Sequence, residues 1–146
     1  MNRDLIEQAF PGLRESFFEI TSPPTNSYNC IAWAASDTLR WWWPAPEYFW
    51  PNDVATTSTL DAFVSVYEGM GFMSCDDSAP ENEFERIAIF VDADGIPSHA
   101  SRQLETGRWT SKLGNADDIE HDLCALEGDH YGKVALIMKR RVKSPQ

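Results

Sequence analysis

Two residues in this sequence have types and settings that suit covalent chemistry, Cys30 and His99. A cysteine attacks as its thiolate, and a free thiol with a pKa of about 8.5 needs help to ionise. Cys30 stands where the polar, turn-forming segment Thr21-Ser22-Pro23-Pro24-Thr25-Asn26-Ser27 gives way to Tyr28-Asn29-Cys30-Ile31-Ala32-Trp33-Ala34-Ala35-Ser36. The second run is Ala-rich and apolar, and it predicts a buried helix starting at or near Cys30, with Asn29 as its cap. The unpaired N–H groups of a first helical turn, and the helix dipole, favour a thiolate there and later an oxyanion. A lone cysteine is more often a small buried apolar residue. The loop-to-helix position and a suitably placed histidine turn the reading toward catalysis.

His99 supplies the base in this reading. Glu85 to Val91 predicts a strand, Asp92-Ala93-Asp94-Gly95 a turn, and Ser98 to Leu104 a second strand that His99 opens. A histidine at a strand end can face a helix N-terminus packed across the sheet. The rivals are His121, in a predicted acidic helix, and His130, in a Gly-rich loop, and both are expected at the surface. A third residue should accept a hydrogen bond from the imidazole N–H. If Thr106-Gly107 forms a two-residue turn, Glu105 pairs with Arg108, and Thr110 and Lys112 share the face of His99 while Ser111 points away. A one-residue bulge instead brings Ser111 round. Lys112 has no acceptor. Ser111 is taken as the third member, with Thr110 and Gln103 as alternatives.

These residues need elements to hold them. Residues 4–10 predict a short opening helix, stopped by Pro11-Gly12. Trp41-Trp42-Trp43-Pro44-Ala45-Pro46-Glu47-Tyr48-Phe49-Trp50-Pro51 carries three prolines, so it reads as an aromatic loop. Residues 58–69 predict a capped amphipathic helix with Leu60, Phe63, Val64 and Tyr67 on one face. Arg108 to Leu113 predicts a third strand, Asp117 to Leu126 a short helix with acids at its start, and Gly132 to Met138 a last strand. Helices first and an antiparallel sheet after them is an α+β order. The length of 146 residues suits a single domain spanning the chain.

Bulk charge narrows the partners. Twelve basic against 23 acidic residues give a net charge of −11. So acidic a surface repels phosphate backbones and anionic membranes, so nucleic acid is not expected as a partner. Lys139, Arg140, Arg141 and Lys143 gather near the C-terminus and read as a solvated basic tail. No apolar stretch approaches the ~20 residues of a membrane span. The acidic N-terminus lacks the apolar core of a signal peptide. Three widely spaced cysteines, Cys30, Cys75 and Cys124, argue against a disulfide framework and for a reducing compartment. No CxxC or HxxxH spacing suggests a metal, and no cofactor is implied. The expected location is the cytoplasm, or outside the cell by a route that uses no signal peptide.

The run Tyr28-Asn29-Cys30-Ile31-Ala32-Trp33-Ala34, followed by a strand at Arg86–Val91, a turn, and His99-Ala100-Ser101, resembles the NlpC-type and CHAP-type papain-like amidases over roughly residues 28–113. The resemblance implies N-terminal helices packed on a small antiparallel sheet. It also implies cleavage of amide or peptide bonds, often in peptidoglycan stem peptides. The aromatic residue before the nucleophile helps bind substrate in that family, and Tyr28 matches it. Trp33, and Trp43 from the aromatic loop, are the further substrate-contact candidates, although such rings often form a satellite core. The sequence departs from the family in having Ile31-Ala32 where Ser-Gly usually follows the cysteine.

Two functions follow as expectations. In the first, Cys30 and His99, with Ser111, hydrolyse an amide or peptide bond in a peptide or peptidoglycan-like substrate. A toxin or effector, or a cytosolic processing enzyme, would use such chemistry. In the second, the domain is an inactive binding or immunity module whose acidic surface grips a basic protein partner.

Overall fold

The computed structural model describes residues 3–113 and 116–142. In chain order the elements are α1 (Arg3–Ala9), β1 (Glu19–Ser22), α2 (Cys30–Ala34), α3 (Leu60–Glu68), β2 (Met73–Cys75), β3 (Phe84–Val91), β4 (Pro97–Gln103), β5 (Trp109–Lys112), β6 (Asp118–His121) and β7 (Lys133–Arg141). Single 3-10 turns at Pro11–Arg14 and Leu123–Leu126 complete them. The strands form one seven-stranded sheet in the order β1-β6-β5-β4-β3-β7-β2. All its pairings are antiparallel.

This corrects the expected architecture. The sheet dominates, and the helices are short and few, so the fold is β-rich rather than an assembly of N-terminal helices on a small sheet. Two causes are visible. The stretch Asp118-Ile119-Glu120-His121 pairs with β1 and β5 instead of coiling, because pairing buries Ile119 and His121 on one face. Tertiary pairing here outweighs the helix-start signal of its acids. The edge strands β1 and β2 have four and three residues, too few to display a period.

Alternation along the strands builds two cores. Ile87, Ile89, Ala100 and Met138 face α2 and α3 and the aromatic loop, where Phe63, Tyr67, Trp42 and Trp50 are buried. Ala88, Phe90, Trp109 and Ile119 face the other way, toward Ile6, Phe10, Leu13, Phe18 and Leu126. Helix α3 is capped by Thr59, whose side chain accepts from the Ala62 N–H. It buries Ala62, Phe63, Val66 and Tyr67, leaving Leu60 and Val64 only partly covered.

The C-terminal bases are not a free tail. Lys139, Arg140 and Arg141 lie in β7, and their side chains pair with Glu81, Glu85 and Glu83 respectively. Lys143 lies outside the described residues. Among the described residues, no helix is long and apolar enough to cross a membrane.

The return into β7 depends on one glycine. Gly128 and Gly132 exchange both backbone hydrogen bonds, at 2.9 and 2.8 Å, closing a loop that carries His130 and Tyr131. Gly132 has φ of +80°, and a Cβ there would lie 1.9 Å from the Val91 carbonyl oxygen. Gly132→Ala is therefore expected to destabilise the fold by about 3 kcal/mol or more, from left-handed strain plus backbone overlap. Urea unfolding measures it, and an unchanged midpoint would contradict the close approach.

Candidate active site

Helix α2 begins at Cys30, and its cap also sets the surroundings. The Asn29 Oδ1 accepts the Ala32 N–H at 3.1 Å, which satisfies one of the donors a helix start leaves unpaired. The same oxygen accepts the Trp42 N–H at 3.1 Å, and Asn29 Nδ2 donates to the Trp42 carbonyl at 2.8 Å. One buried side chain thus caps the helix and pins the aromatic loop beside it. The backbone of Ala100, Ile31 and Cys30 around the sulfur favours the thiolate. Burial nevertheless dominates and pushes the thiol up to about 11, with nearby Lys112 acting in the opposite sense. At neutral pH the resting group is a thiol.

His99 lies on β4, directly before Ala100. Its Nε2 is 2.9 Å from the Ser111 Oγ. Ser111 Oγ is also 2.7 Å from Ser101 Oγ and 2.7 Å from His121 Nε2. His121 Nδ1 is 2.8 Å from the Asp122 carbonyl oxygen. All four side chains are buried. Burial holds the His99 imidazole well below its ordinary range. His121 falls from an ordinary 6.5 to about 4, again chiefly by burial. Among the described residues, His99 Nδ1 is buried without a hydrogen-bond partner. The ring stacks on Tyr131 at 3.9 Å between centroids, with Phe90 edge-on at 5.1 Å.

Ser111 reaches His99 because of the turn. Leu104, not Glu105, lies opposite Arg108, with Leu104 N–H donating to the Arg108 carbonyl at 2.7 Å. The loop is Glu105-Thr106-Gly107, with Gly107 at φ +93°. A three-residue loop ending on a left-handed glycine carries the extra residue that a two-residue turn lacks. Arg102 consequently pairs with Thr110, and Ser111 joins the face of His99 and Ser101. Thr110 and Lys112 take the α2 side. Gln103 instead bonds the Ser78 carbonyl at 2.6 Å.

That register also puts the His99 ring on the sheet face of Phe90, whereas Ala100 joins the α2 side. The strands part at this point. The β4–β5 ladder is confined to Arg102 and Gln103 on β4, so His99 to Ser101 are ladder-paired through β3 only. Cys30 meets β4 at this opened edge, where it shares a buried cluster with Ala100. A cavity of about 310 Å³ opens there, lined by Asn29, Cys30, Trp41, Trp43, Tyr48, Ser98 and Tyr131. Cys30 and the ring stacked on His99 share this one opening.

The substrate-contact candidates divide. Trp43 lines the cavity, together with Trp41 and Tyr48, while Trp42 and Trp50 of the same loop are core residues. The aromatic loop is both wall and core. Tyr28 and Trp33 are not in the cavity wall. The Tyr28 hydroxyl donates to Asp118 Oδ2 at 2.7 Å, and its ring lies 5.5 Å from the Lys112 ammonium. Trp33 packs beside Tyr28 and under the Arg102 guanidinium, 4.7 Å from its ring centre. Sequence reasoning missed His121, Ser101 and Tyr131. His121 was expected on an exposed helix; the alternation of Ile119 and His121 was its only signal. Tyr131 is bracketed by Gly128 and Gly132, a loop signature that marks its return toward the sheet. His130 is exposed, edge-on to Phe10 at 5.0 Å. Among the described residues, no group of three or more His, Cys, Asp or Glu is placed to hold a metal ion.

Two histidines buried as neutral bases make stability depend on pH. A folded pKa below the unfolded one means that the unfolded chain binds the extra proton first. Stability therefore falls as pH drops below 6.5, and for His121 the loss runs to about pH 4. Integrated over that window it reaches roughly 3 kcal/mol for this group. Urea unfolding of the wild type and His121→Gln at intervals between pH 7 and 4 should give a steeper decline for the wild type. Parallel curves would contradict the buried neutral state.

No curated protein and no solved structure matches the chain. The family model described as a domain of unknown function, DUF7689, matches residues 19–139, which hold the whole candidate site, and the chain belongs to that family.

Proposed function

We propose that the protein is a cysteine hydrolase of amide or peptide bonds, with Cys30 as nucleophile, His99 as general base and acid, and Ser111 holding the imidazole. The observation that carries this reading is the buried His99 Nδ1, without a hydrogen-bond partner among the described residues, on a ring whose other nitrogen is tied to Ser111, one residue from Ala100, whose backbone lies near Cys30. The local resemblance of residues 28–34 to cysteine amidases supports it.

With both groups neutral at rest, the proton moves as the bond forms. His99 Nδ1 takes the thiol proton while sulfur attacks the carbonyl carbon. The carbonyl electron pair moves to oxygen, giving a tetrahedral oxyanion. N–H groups at the start of α2 favour that charge. Collapse expels the amine, which takes the proton from His99, and leaves a thioester on Cys30. His99 then removes a proton from water as the water attacks, and the acid departs as the thiol regains its proton. The step needs Nδ1 and sulfur within about 3–4 Å when substrate is bound. Trp41, Trp43, Tyr48 and Tyr131 suit an extended peptide with an apolar or planar side chain, and the acidic surface favours a neutral or basic one.

One observation favours a second reading, a binding module with a structural cysteine: burial raises the Cys30 thiol instead of lowering it. Alkylation separates the two. In a hydrolase, the iodoacetamide rate at Cys30, followed by mass spectrometry, should be level between pH 7 and 9, because neutral His99 assists throughout. It should fall only on the acid side, below the ordinary histidine range. His99→Ala should remove the level region. In a binding module the rate climbs about tenfold per pH unit toward the thiol pKa and ignores His99. Against a panel of peptide amides, Cys30→Ala should lower hydrolysis by about 10³-fold or more while the melting temperature stays within a few degrees. Undiminished hydrolysis by that variant would end the hydrolase reading.

A further inference from the structure

We propose that His121 is a positioning residue that, through the single proton of Ser111, fixes His99 in the tautomer whose Nδ1 is free to act as a base. The inference rests on the hydrolase reading for its purpose, but the proton assignment stands on hydrogen-bond geometry and on the buried His121 being neutral. It begins at a group with no choice. The Asp122 carbonyl oxygen can only accept, so His121 Nδ1, 2.8 Å away, carries a hydrogen and donates it. In a neutral imidazole the other nitrogen then has only a lone pair. His121 is fully buried on β6, and its Nε2 meets Ser111 at 2.7 Å. The Ser111 hydroxyl must therefore donate to His121.

A hydroxyl has one proton to give. With it committed to His121, Ser111 Oγ can only accept from its other two neighbours. Ser101 donates to it across 2.7 Å. His99 Nε2, at 2.9 Å, must also donate, so His99 carries its hydrogen on Nε2. Its Nδ1 is then the unprotonated nitrogen, and among the described residues it has no hydrogen-bond partner. Reversing His121 would release the Ser111 proton to point at His99 Nε2. That would move the His99 hydrogen to Nδ1 and leave nothing to receive the thiol proton. His121 touches neither sulfur nor the cavity wall, and it acts only through Ser111.

The assignment is read directly by nitrogen-15 NMR of ring-labelled intact protein near pH 7. His99 should show a protonated Nε2 and an unprotonated Nδ1, and His121 the reverse. His99 protonated at Nδ1, or His121 at Nε2, would overturn the proposal whether or not any hydrolysis has been detected. In His121→Leu, Ser111 loses its acceptor, and the His99 tautomer should shift toward Nδ1–H. Iodoacetamide alkylation of Cys30 at pH 7 should then slow about tenfold or more. His121→Gln, whose amide oxygen can again accept from Ser111, should restore both. A tautomer and a rate unchanged in His121→Leu would refute the positioning role while leaving the hydrolase reading intact. Alkylation indifferent to His99→Ala would refute the hydrolase reading while the tautomer assignment stands. If His121→Leu does not fold, the wild-type spectrum still decides the proton assignment, and a His121→Ala variant takes its place for the rate.

Discussion

The Ser111 hydroxyl is the point on which this arrangement turns. Three buried side chains from two strands, β4 and β6, converge on one oxygen of β5, and that oxygen owns one hydrogen. Burial makes the arrangement strict. In water each group would find a substitute partner, whereas inside the protein an unmatched donor or acceptor costs about 1–3 kcal/mol. Proton direction is therefore set by the one member that cannot reverse, the backbone carbonyl of Asp122, and it is transmitted from β6 through β5 to β4. The sheet acts as the frame for an ordered line of polar groups, and the strand register decides which residues join it.

That register explains why parts of the site were legible in the sequence and others were not. The helix start at Cys30 is legible because its signals are local: a turn-rich segment, a capping Asn29 and an Ala-rich run all lie within a few residues. The strand that carries His99 is legible because another strand and a tight turn precede it. Ser111 hung on whether the hairpin carried two or three loop residues. Thr106-Gly107 fits either turn by composition; the choice of Gly107 as the left-handed residue of a longer loop is made by the packing of both strands. His121 was out of reach for a different reason. Its short segment begins with acids, as a helix does, and only pairing on both sides makes it a strand. Local preference pointed one way and burial of Ile119 and His121 the other.

The fold shows the same division. The long strands β3, β4 and β7 carry enough alternation to be read directly, and α3 shows its cap and its apolar face. The sheet was nonetheless taken to be small, because β1 and β2 have four and three residues and no pattern of their own. They exist because a neighbouring strand offers them backbone partners. The aromatic loop followed a similar rule. Its composition announced rings without saying which would be covered. Asn29, by gripping both backbone groups of Trp42, buries that ring and leaves Trp41 and Trp43 at the cavity.

The brevity of β1 and β2 bears on solubility. A sheet this wide would otherwise end in long rows of open backbone donors and acceptors, and such margins invite other chains to add on. Here the outermost strands have four and three residues, a short template for an added strand. Two nearly patternless segments thus shorten the template that a broad antiparallel sheet offers to other chains.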